Sequence, residues 1–329
     1  MAGAAPLVDP FGRTVRDLRV SVTDRCNFRC RYCMPAEGMQ WLPRDELLTF
    51  EEITRVARVC VERFGFDGIR LTGGEPTARA RLPVLVEMLA RLGVDLAMTT
   101  NGATLRLLAG DLRRAGLRRV NISCDSLQPA RFAEITRRDA LAQVIDGIDA
   151  ALEAGFDPVK VNCVLMRGVN DDEVVDFAAF GRERGVGVRF IEFMPLDADG
   201  AWGSDAVFPA AEVIERIDAV FPLEPVQRGV APASEYRYRD GRGGVGVIAS
   251  VTQPFCGSCD RVRITAEGQF RNCLFAVQET DLRALLRGGA SDEQVAGAIA
   301  SDVAGKWAGH SIGQVTFIRP SRSMSQIGG

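Results

Sequence analysis

Six of the chain's nine cysteines fall into two groups of three. The first group, Cys26, Cys30 and Cys33, has the spacing C-x3-C-x2-C and directly follows an apolar, strand-like run, Leu18–Thr23. Four thiolates saturate a cubane iron–sulfur cluster. Three leave one iron open to bind another molecule, which is a reactive arrangement rather than a merely structural one. Tetrahedral zinc is the competing reading, because thiolates at short spacing also suit Zn²⁺. A fourth ligand for zinc is hard to find: the chain has a single histidine, His310, and carboxylates are poor partners for three soft thiolates. The x3–x2 spacing also differs from the paired C-x2-C of ribbons and fingers, which favours the open cluster.

The second group, Cys256, Cys259 and Cys273, makes C-x2-C-x13-C, with a hairpin expected over 261–273. Here a zinc ribbon, or a cluster closed by one more thiol, stands level with the open cluster. Cys60, Cys124 and Cys163 are spare thiols inside apolar segments, where free cysteine behaves as a small buried hydrophobe. Arg261 and Arg263 alternate on one strand and so project from the same face beside this group, either as a solvated pair or as a clamp for phosphates.

The elements that position these residues repeat as strand, turn and helix. Strand-like runs are expected at 18–23, 68–72, 95–100, 119–123, 159–165 and 186–194, with helical periodicity between them. Thr49-Phe-Glu-Glu52 forms a capping-box signature that opens a helix to about Phe64, and 141–154 reads as a helix stopped by Gly155. Six such units imply parallel strands with right-handed crossovers. The unusual residues follow the ends of many strands instead of one switch point: the first cysteines, Gly73-Gly74-Glu75-Pro76, Asn101-Gly102, Ser123 with Asp125, and Met194. That distribution predicts an α/β fold, a partial (βα)6 TIM-type barrel. Past Met194 the period changes through 195–200, and hairpin signals follow at 238–244 and 266–268. The expected division is 1–195, the barrel, and 196–329, an α+β region carrying the second cysteine group.

With 329 residues, 47% of them apolar, the chain can bury one large core or two unequal ones. A net charge of −3 gives no general attraction for nucleic acid, so an anionic ligand must be held by a local cluster of Arg and Lys. No run approaches the ~18 apolar residues of a membrane span, and the start lacks the design of a secretory signal. The expectation is a cytoplasmic protein that engages neither nucleic acid nor membrane.

Cys26-x3-Cys30-x2-Cys33, with Tyr32 before the last thiol and Gly73-Gly74-Glu75-Pro76 after the next strand, resembles the radical S-adenosylmethionine (SAM) superfamily. Arg19, Lys160, Arg189-Phe-Ile-Glu-Phe-Met194, the second cysteine group and the terminal Ile327-Gly-Gly329 narrow the resemblance to the GTP 3′,8-cyclase family of molybdenum cofactor biosynthesis. The resemblance runs from about Phe11 to Gly329 and implies two 4Fe-4S clusters, one on each cysteine group, with SAM on the open iron of the first. Reductive cleavage of SAM would give a 5′-deoxyadenosyl radical that removes the ribose C3′ hydrogen of GTP, after which C3′ joins guanine C8. It further implies a downstream cyclic pyranopterin monophosphate synthase, a reduced flavodoxin- or ferredoxin-type electron donor, and room for a homodimer.

By the same resemblance, Tyr32, Gly74, Ser123, Arg189 and Met194 serve SAM, while Arg19, Arg70, Thr99, Lys160, Arg261 and Arg263 serve GTP. Arg261, Arg263 and the terminal Gly328 and Gly329 are expected at the reaction centre, the glycine pair entering a cavity where no side chain fits. Independently of the resemblance, Arg19, Arg70 and Lys160 lie in otherwise apolar strands, where an unpaired charge is costly and a ligand or ion-pair role is favoured. Three departures stand out: Glu75-Pro-Thr-Ala-Arg79 breaks the basic pair that often follows this turn, Cys124 stands beside Ser123 in place of an aliphatic residue, and Gln326 stands where an aromatic residue often precedes Ile-Gly-Gly. The alternatives are another radical SAM enzyme with an auxiliary cluster, such as a peptide-modifying maturase, and a zinc-stabilised binding module.

Overall fold

The structure, a computed structural model, describes residues 4–197, 200, 202–227, 229 and 231–328. Six parallel strands form its centre: β1 (Asp17–Ser21), β2 (Gly68–Thr72), β3 (Asp95–Thr100), β4 (Arg119–Ser123), β5 (Val159–Leu165) and β6 (Gly187–Glu192). Four of the six match the expected bounds. The other two are shorter by one or more residues at their ends, where the chain leaves the ladder for the site.

Helices cross between these strands, and their caps explain their lengths. Phe50–Phe64 opens on the Thr49/Glu52 capping box and stops at Gly65, whose φ of 69° a residue with a Cβ resists. Leu141–Glu153 is followed by Gly155 at φ 77°. Their apolar faces, for example Ile53, Val56, Val59 and Cys60 on the first helix, pack on the outer face of the sheet.

The segment after residue 196 supplies β7 (Leu223–Pro225), β8 (Ser234–Tyr238), β9 (Gly244–Ile248), β10 (Arg261–Ile264), β11 (Gln269–Arg271) and β12 (Thr280–Asp281). These strands join both edges of the barrel sheet. The resulting order is β12-β11-β10-β1-β2-β3-β4-β5-β6-β9-β8-β7, with β10 parallel to β1 and β9 parallel to β6. Twelve strands therefore share one curved ladder, and the hydrogen bonding continues across the 195/196 division. The arrangement is a partial TIM-type barrel extended at each edge by strands from the second segment.

The alternation along the strands is the reverse of an ordinary βα-barrel core. Outward positions are apolar and shielded by helices: Leu18 and Val20, Ile69 and Leu71, Val120 and Ile122, and Val161 and Cys163 are all at most 1% exposed. The intervening positions, which face the barrel interior, carry Arg19, Arg70, Thr99, Asn121, Lys160 and Arg189. A filled barrel would stack Val, Ile and Leu there. This interior is a polar chamber instead.

Candidate active site

The first cysteine group sits on the irregular chain that leaves the carboxyl end of β1. Such a chain has no ladder for its backbone groups, so other parts of the molecule supply partners. Arg29 N and Arg31 N donate to Thr136 O and Ile135 O at 3.0 Å each, and Cys33 N and Met34 N close a turn on Cys30 O. Arg29 Nη1 donates to Cys26 O at 2.7 Å, Arg137 Nη1 to Met34 O at 3.0 Å, and Arg138 Nε to Asn27 O at 3.0 Å. Phe28 anchors the segment against Phe132 with the rings edge-on.

Gly73 and Gly74 lock this segment to the end of β2. Gly74 N donates to Thr23 O and Glu75 N to Arg25 O, both at 2.8 Å. A Cβ on Gly74 would strike the carbonyls of Asp24 and Arg25, and one on Gly73, at φ 148°, would lie 2.6 Å from Thr23 O. The glycines thus permit a backbone-to-backbone approach. Glu75, 1% exposed, accepts from Thr100 Oγ1 at 2.6 Å and Asn101 N at 2.7 Å, fastening β2 to β3.

Burial pushes the Cys26 thiol up to about 11 and Cys33 to about 12, and Cys30 also moves up. Thiols so placed ionise when a cationic centre compensates the charge, which is what an iron–sulfur cluster provides. All nine cysteines are free thiols. Among the described residues, no three Cys, His, Asp or Glu groups close around the volume of a single ion. The donor set of three soft thiols suits a cluster.

Tyr32 is fixed by a residue that sequence reasoning noted but did not pair with it. Its hydroxyl donates to Asp125 Oδ2 at 2.6 Å, and Val164 N donates to Asp125 Oδ1 at 2.9 Å. Burial raises the Asp125 carboxyl to about 6 against the pull of these bonds. Ser123 ends β4 opposite Asn162 on β5. Met194 packs with Leu196, Phe275 and Ile327.

The second cysteine group lies at the opposite rim. Cys256 and Cys259 precede β10, whose first residue Arg261 pairs with Asp17, the first residue of β1. Cys273 returns to the same level after β11, through the expected hairpin. Carboxyl-end geometry accounts for the first group only; the second occupies the amino-terminal rim. Arg13 Nη1 donates to Cys256 O at 2.7 Å and to Ala308 O at 2.8 Å, while Lys306 Nζ donates to Arg261 O at 2.9 Å. Burial works against ionisation of Cys259, but Arg261 and then Lys306 bring the thiol below its ordinary value. His310 rests its ring on Phe275, and its Nδ1 accepts from Ile312 N at 3.4 Å.

Between the two rims the strand register gathers the cations. Arg263 is level with Arg19 and Arg19 with Arg70, and Thr99 leads through Asn121 to Lys160. Arg19 Nε, both Nε and Nη1 of Arg70, and Arg189 Nε are buried without a hydrogen-bond partner. Burial holds Arg19 well below its ordinary value, and Arg261 adds to this; burial also brings Arg70 and Arg263 to about 10. Arg19 Nε lies 3.7 Å from Asp17 Oδ1 without a hydrogen bond, and crowded, buried guanidiniums with unsatisfied nitrogens are costly unless a further anion joins them. Glu235 is the partner that sequence reasoning missed. From β8 it reaches Arg189 Nη2 at 2.7 Å and Lys160 Nζ at 3.6 Å, and its path is cleared by Gly246, whose Cβ would meet Glu235 Oε2 at 2.8 Å. Arg189, expected to pair with the SAM carboxylate, is therefore already in an ion pair.

The carboxyl tail closes the chamber. Met324–Ile327 forms one helical turn on a Ser323/Gln326 capping box, which gives Gln326 a use that an aromatic residue could not serve. Ser325 Oγ lies 3.4 Å from Cys33 O, and Ile327 packs in the cluster that includes Cys273. Arg263 Nη1 donates to Gly328 O, and a Cβ on Gly328 would fall 2.6 Å from Thr72 Oγ1. Gly329 lies outside the described residues.

Residues 20–181 match the Radical SAM superfamily, and residues 186–312 match the Molybdenum Cofactor Synthesis C family. A curated GTP 3′,8-cyclase of Streptomyces coelicolor is 48% identical over 99% of this chain and 97% of its own length. That of Mycobacterium sp. strain KMS is 49% identical over 100% and 95%, respectively. Among solved structures, Streptococcus suis SuiB aligns with a TM-score of 0.60 at 13% identity, over 88% of this chain and 69% of its own. A methylornithine synthase aligns with a TM-score of 0.51 at 16% identity, over 64% and 63%. At those identities the likeness is one of fold. Full-length identity near one half, together with two family matches that meet between β5 and β6, establishes that the chain belongs to the GTP 3′,8-cyclase family of the radical SAM superfamily.

Proposed function

We propose that this protein converts GTP to a 3′,8-cyclised nucleotide, the first step of molybdenum cofactor biosynthesis, using SAM and two 4Fe-4S clusters. The observation that carries the proposal is the chamber of crowded buried cations, several of whose guanidinium nitrogens lack a hydrogen bond, between two groups of three thiols. When bound, the first cluster and SAM supply one-electron cleavage to a 5′-deoxyadenosyl radical, which takes the C3′ hydrogen of GTP.

The chain's own residues hold and orient. Cys26, Cys30 and Cys33 hold the first cluster, and Cys256, Cys259 and Cys273 hold the second, each leaving a position for a ligand. Tyr32, Gly74, Ser123, Arg189 and Met194 shape the SAM side, with Asp125 fixing Tyr32. Arg19, Arg70, Thr99, Lys160, Arg261 and Arg263 receive the triphosphate and ribose, and charge-assisted bonds to them relieve the cations' desolvation. The Arg263–Gly328 contact brings the tail over the chamber, where it excludes water from a radical path. The 1–195 segment accordingly serves radical generation and 196–329 serves the purine and the second cluster.

The working context is the cytoplasm, which suits nine free thiols. A reduced flavodoxin or ferredoxin supplies the electron, and cyclic pyranopterin monophosphate synthase takes the product. No helix among the described residues is long and apolar enough to cross a membrane. The test is anaerobic incubation with SAM, GTP and dithionite. The wild type should yield 5′-deoxyadenosine and a cyclised nucleotide, Cys30→Ser neither, and Cys273→Ser 5′-deoxyadenosine without cyclisation. A wild-type protein that cleaves SAM but leaves GTP unchanged refutes the proposal.

A further inference from the structure

Glu235 brings a negative charge to the cations of the chamber, and the sheet is built to let it. The register runs Glu235, Gly246, Arg189, Asn162, Ser123 across β8, β9, β6, β5 and β4. Gly246 is the position between Glu235 and Arg189, and a Cβ there would lie 2.8 Å from Glu235 Oε2. Without that side chain the carboxylate spans two strands to Arg189. Lys160 lies one inward position nearer the amino-terminal rim, beside Gly187 on β6, so no side chain intervenes there either. A single oxygen, Oε1, serves both cations, at 2.7 Å from Arg189 Nη2 and 3.6 Å from Lys160 Nζ.

The carboxylates that hold this fold together are fastened differently. Glu75, Glu173 and Glu192 are at most 2% exposed, and each accepts from backbone N–H groups and a hydroxyl: Glu173 from Leu127 N and Ser126 Oγ, Glu192 from Ala210 N, Val251 N and Thr252 Oγ1. Among the described residues, the Glu235 carboxylate accepts from neither. Its side chain is 37% exposed, and the two cations are its whole attachment. The neutralisation is also incomplete: one carboxylate faces two cations, and Arg189 Nε remains buried without a hydrogen bond. Burial and then Arg189 hold Lys160 below its ordinary value, against the pull of Glu235. A charge tethered by ion pairs alone, in a chamber that stays positive, is one that a stronger anion can replace.

We propose that Glu235 is a resident counter-ion, which fills the place of an anion beside Lys160 and Arg189 until the phosphates of a nucleotide displace it. The inference rests on the proposed function, which places GTP in this chamber. Displacement makes the site selective. A single phosphate that meets only this cation pair must evict a carboxylate of like charge, and it gains little by doing so. A triphosphate also reaches Arg19, Arg70 and Arg263, whose attraction offsets the eviction. Glu235 therefore weakens the hold on every phosphate and leaves the chamber to chains of them.

The experiment is calorimetric titration of inorganic triphosphate and of inorganic phosphate into the anaerobic, cluster-loaded protein without SAM, for the wild type, Glu235→Gln and Glu235→Asp. Glutamine keeps the shape and an acceptor for Arg189 but removes the charge. Triphosphate should then bind at least about fivefold tighter at low ionic strength, and the gain should fade near about 0.5 M salt. Inorganic phosphate should gain by at least the same factor. Glu235→Asp, which keeps the charge, should stay within about twofold of the wild type. A Gln variant too unstable to titrate is read by thermal unfolding, where triphosphate should raise its midpoint by more than it raises that of the wild type. Weaker binding by the Gln variant, or a change below about twofold, overturns the inference, because Glu235 would then only hold the two cations in place. A gain confined to triphosphate overturns it too, as does an Asp variant that behaves like Gln. A wild type that binds triphosphate but forms no cyclised nucleotide from GTP sinks the proposed function, while the titrations still decide the counter-ion.

Discussion

Replacing Arg70 by methionine should make the ligand-free protein more stable and weaken its hold on GTP. Arg70 is 8% exposed, its Nε and Nη1 have no hydrogen-bond partner, and burial lowers it to about 10. At pH 7 the guanidinium is charged in both the folded and unfolded chain. That lowering is therefore a standing destabilisation of the folded state on the order of 3 kcal/mol. Methionine fills much of the same volume without a charge, and replacing buried ionic groups by packed apolar ones is often stabilising. For a chain of this length, 3 kcal/mol corresponds to roughly 5 °C in Tm. GTP should act in the opposite direction. Losing one charge-assisted contact costs about 1.5–3 kcal/mol, or roughly 10- to 150-fold in affinity. The assay is thermal unfolding of the anaerobic cluster-loaded protein with and without GTP, alongside calorimetric titration. A variant that melts below the wild type without GTP would refute the reasoning, since it would mean that Arg70 is satisfied in the empty chamber.

Asp125→Asn tests the buried carboxyl. Its folded value near 6 exceeds the ordinary 3.8, so its contribution to stability is complete below about 3.8 and is lost as the pH rises through 6; the Asn variant's Tm should gain steadily on the wild type's between about pH 4 and pH 6 and hold a constant lead above about pH 7. Arg13→Met leaves the buried Asp9 carboxylate unpaired and frees Cys256 O, so it should lower stability by about 3–5 kcal/mol and deplete iron from the second group alone, measured by iron content and electron paramagnetic resonance. Gly328→Ala must place a Cβ at φ 84° against Thr72 Oγ1, at a cost of about 1–3 kcal/mol in backbone strain, and should expose residues 323–327 to carboxypeptidase and reduce cyclisation at least about tenfold; unchanged protection would mean that the tail docks some other way.

Much of this site was legible because the strands alternate strictly. Arg19 between Leu18 and Val20, Arg70 between Ile69 and Leu71, and Lys160 between Val159 and Val161 each announce a cation where a parallel barrel would place an aliphatic residue. The cysteine spacing and the Thr49 cap are local signals, and the structure keeps both. Glu235 was not legible. It lies 46 residues beyond Arg189 on a hairpin strand, and its only trace in the sequence is the Gly246 that gives it room. The placement of the second cysteine group was equally hidden, because nothing local says that Arg261 will pair with Asp17 across the whole barrel.

That long-range pairing decides the working geometry. Because β10 runs parallel to β1, the thiols before β10 and the thiols after β1 must lie at opposite rims. A five-residue strand such as β1 spans about 16 Å. A nucleoside triphosphate lying along it has a comparable length, so its base can reach one rim while its ribose lies toward the other. Had β10 paired antiparallel, both cysteine groups would crowd one rim, and the inward faces of Arg261 and Arg263 would no longer fall in register with Arg19. The same register that separates the two centres lines the path between them with positive charge, so the fold fixes the reach and the attraction in one step.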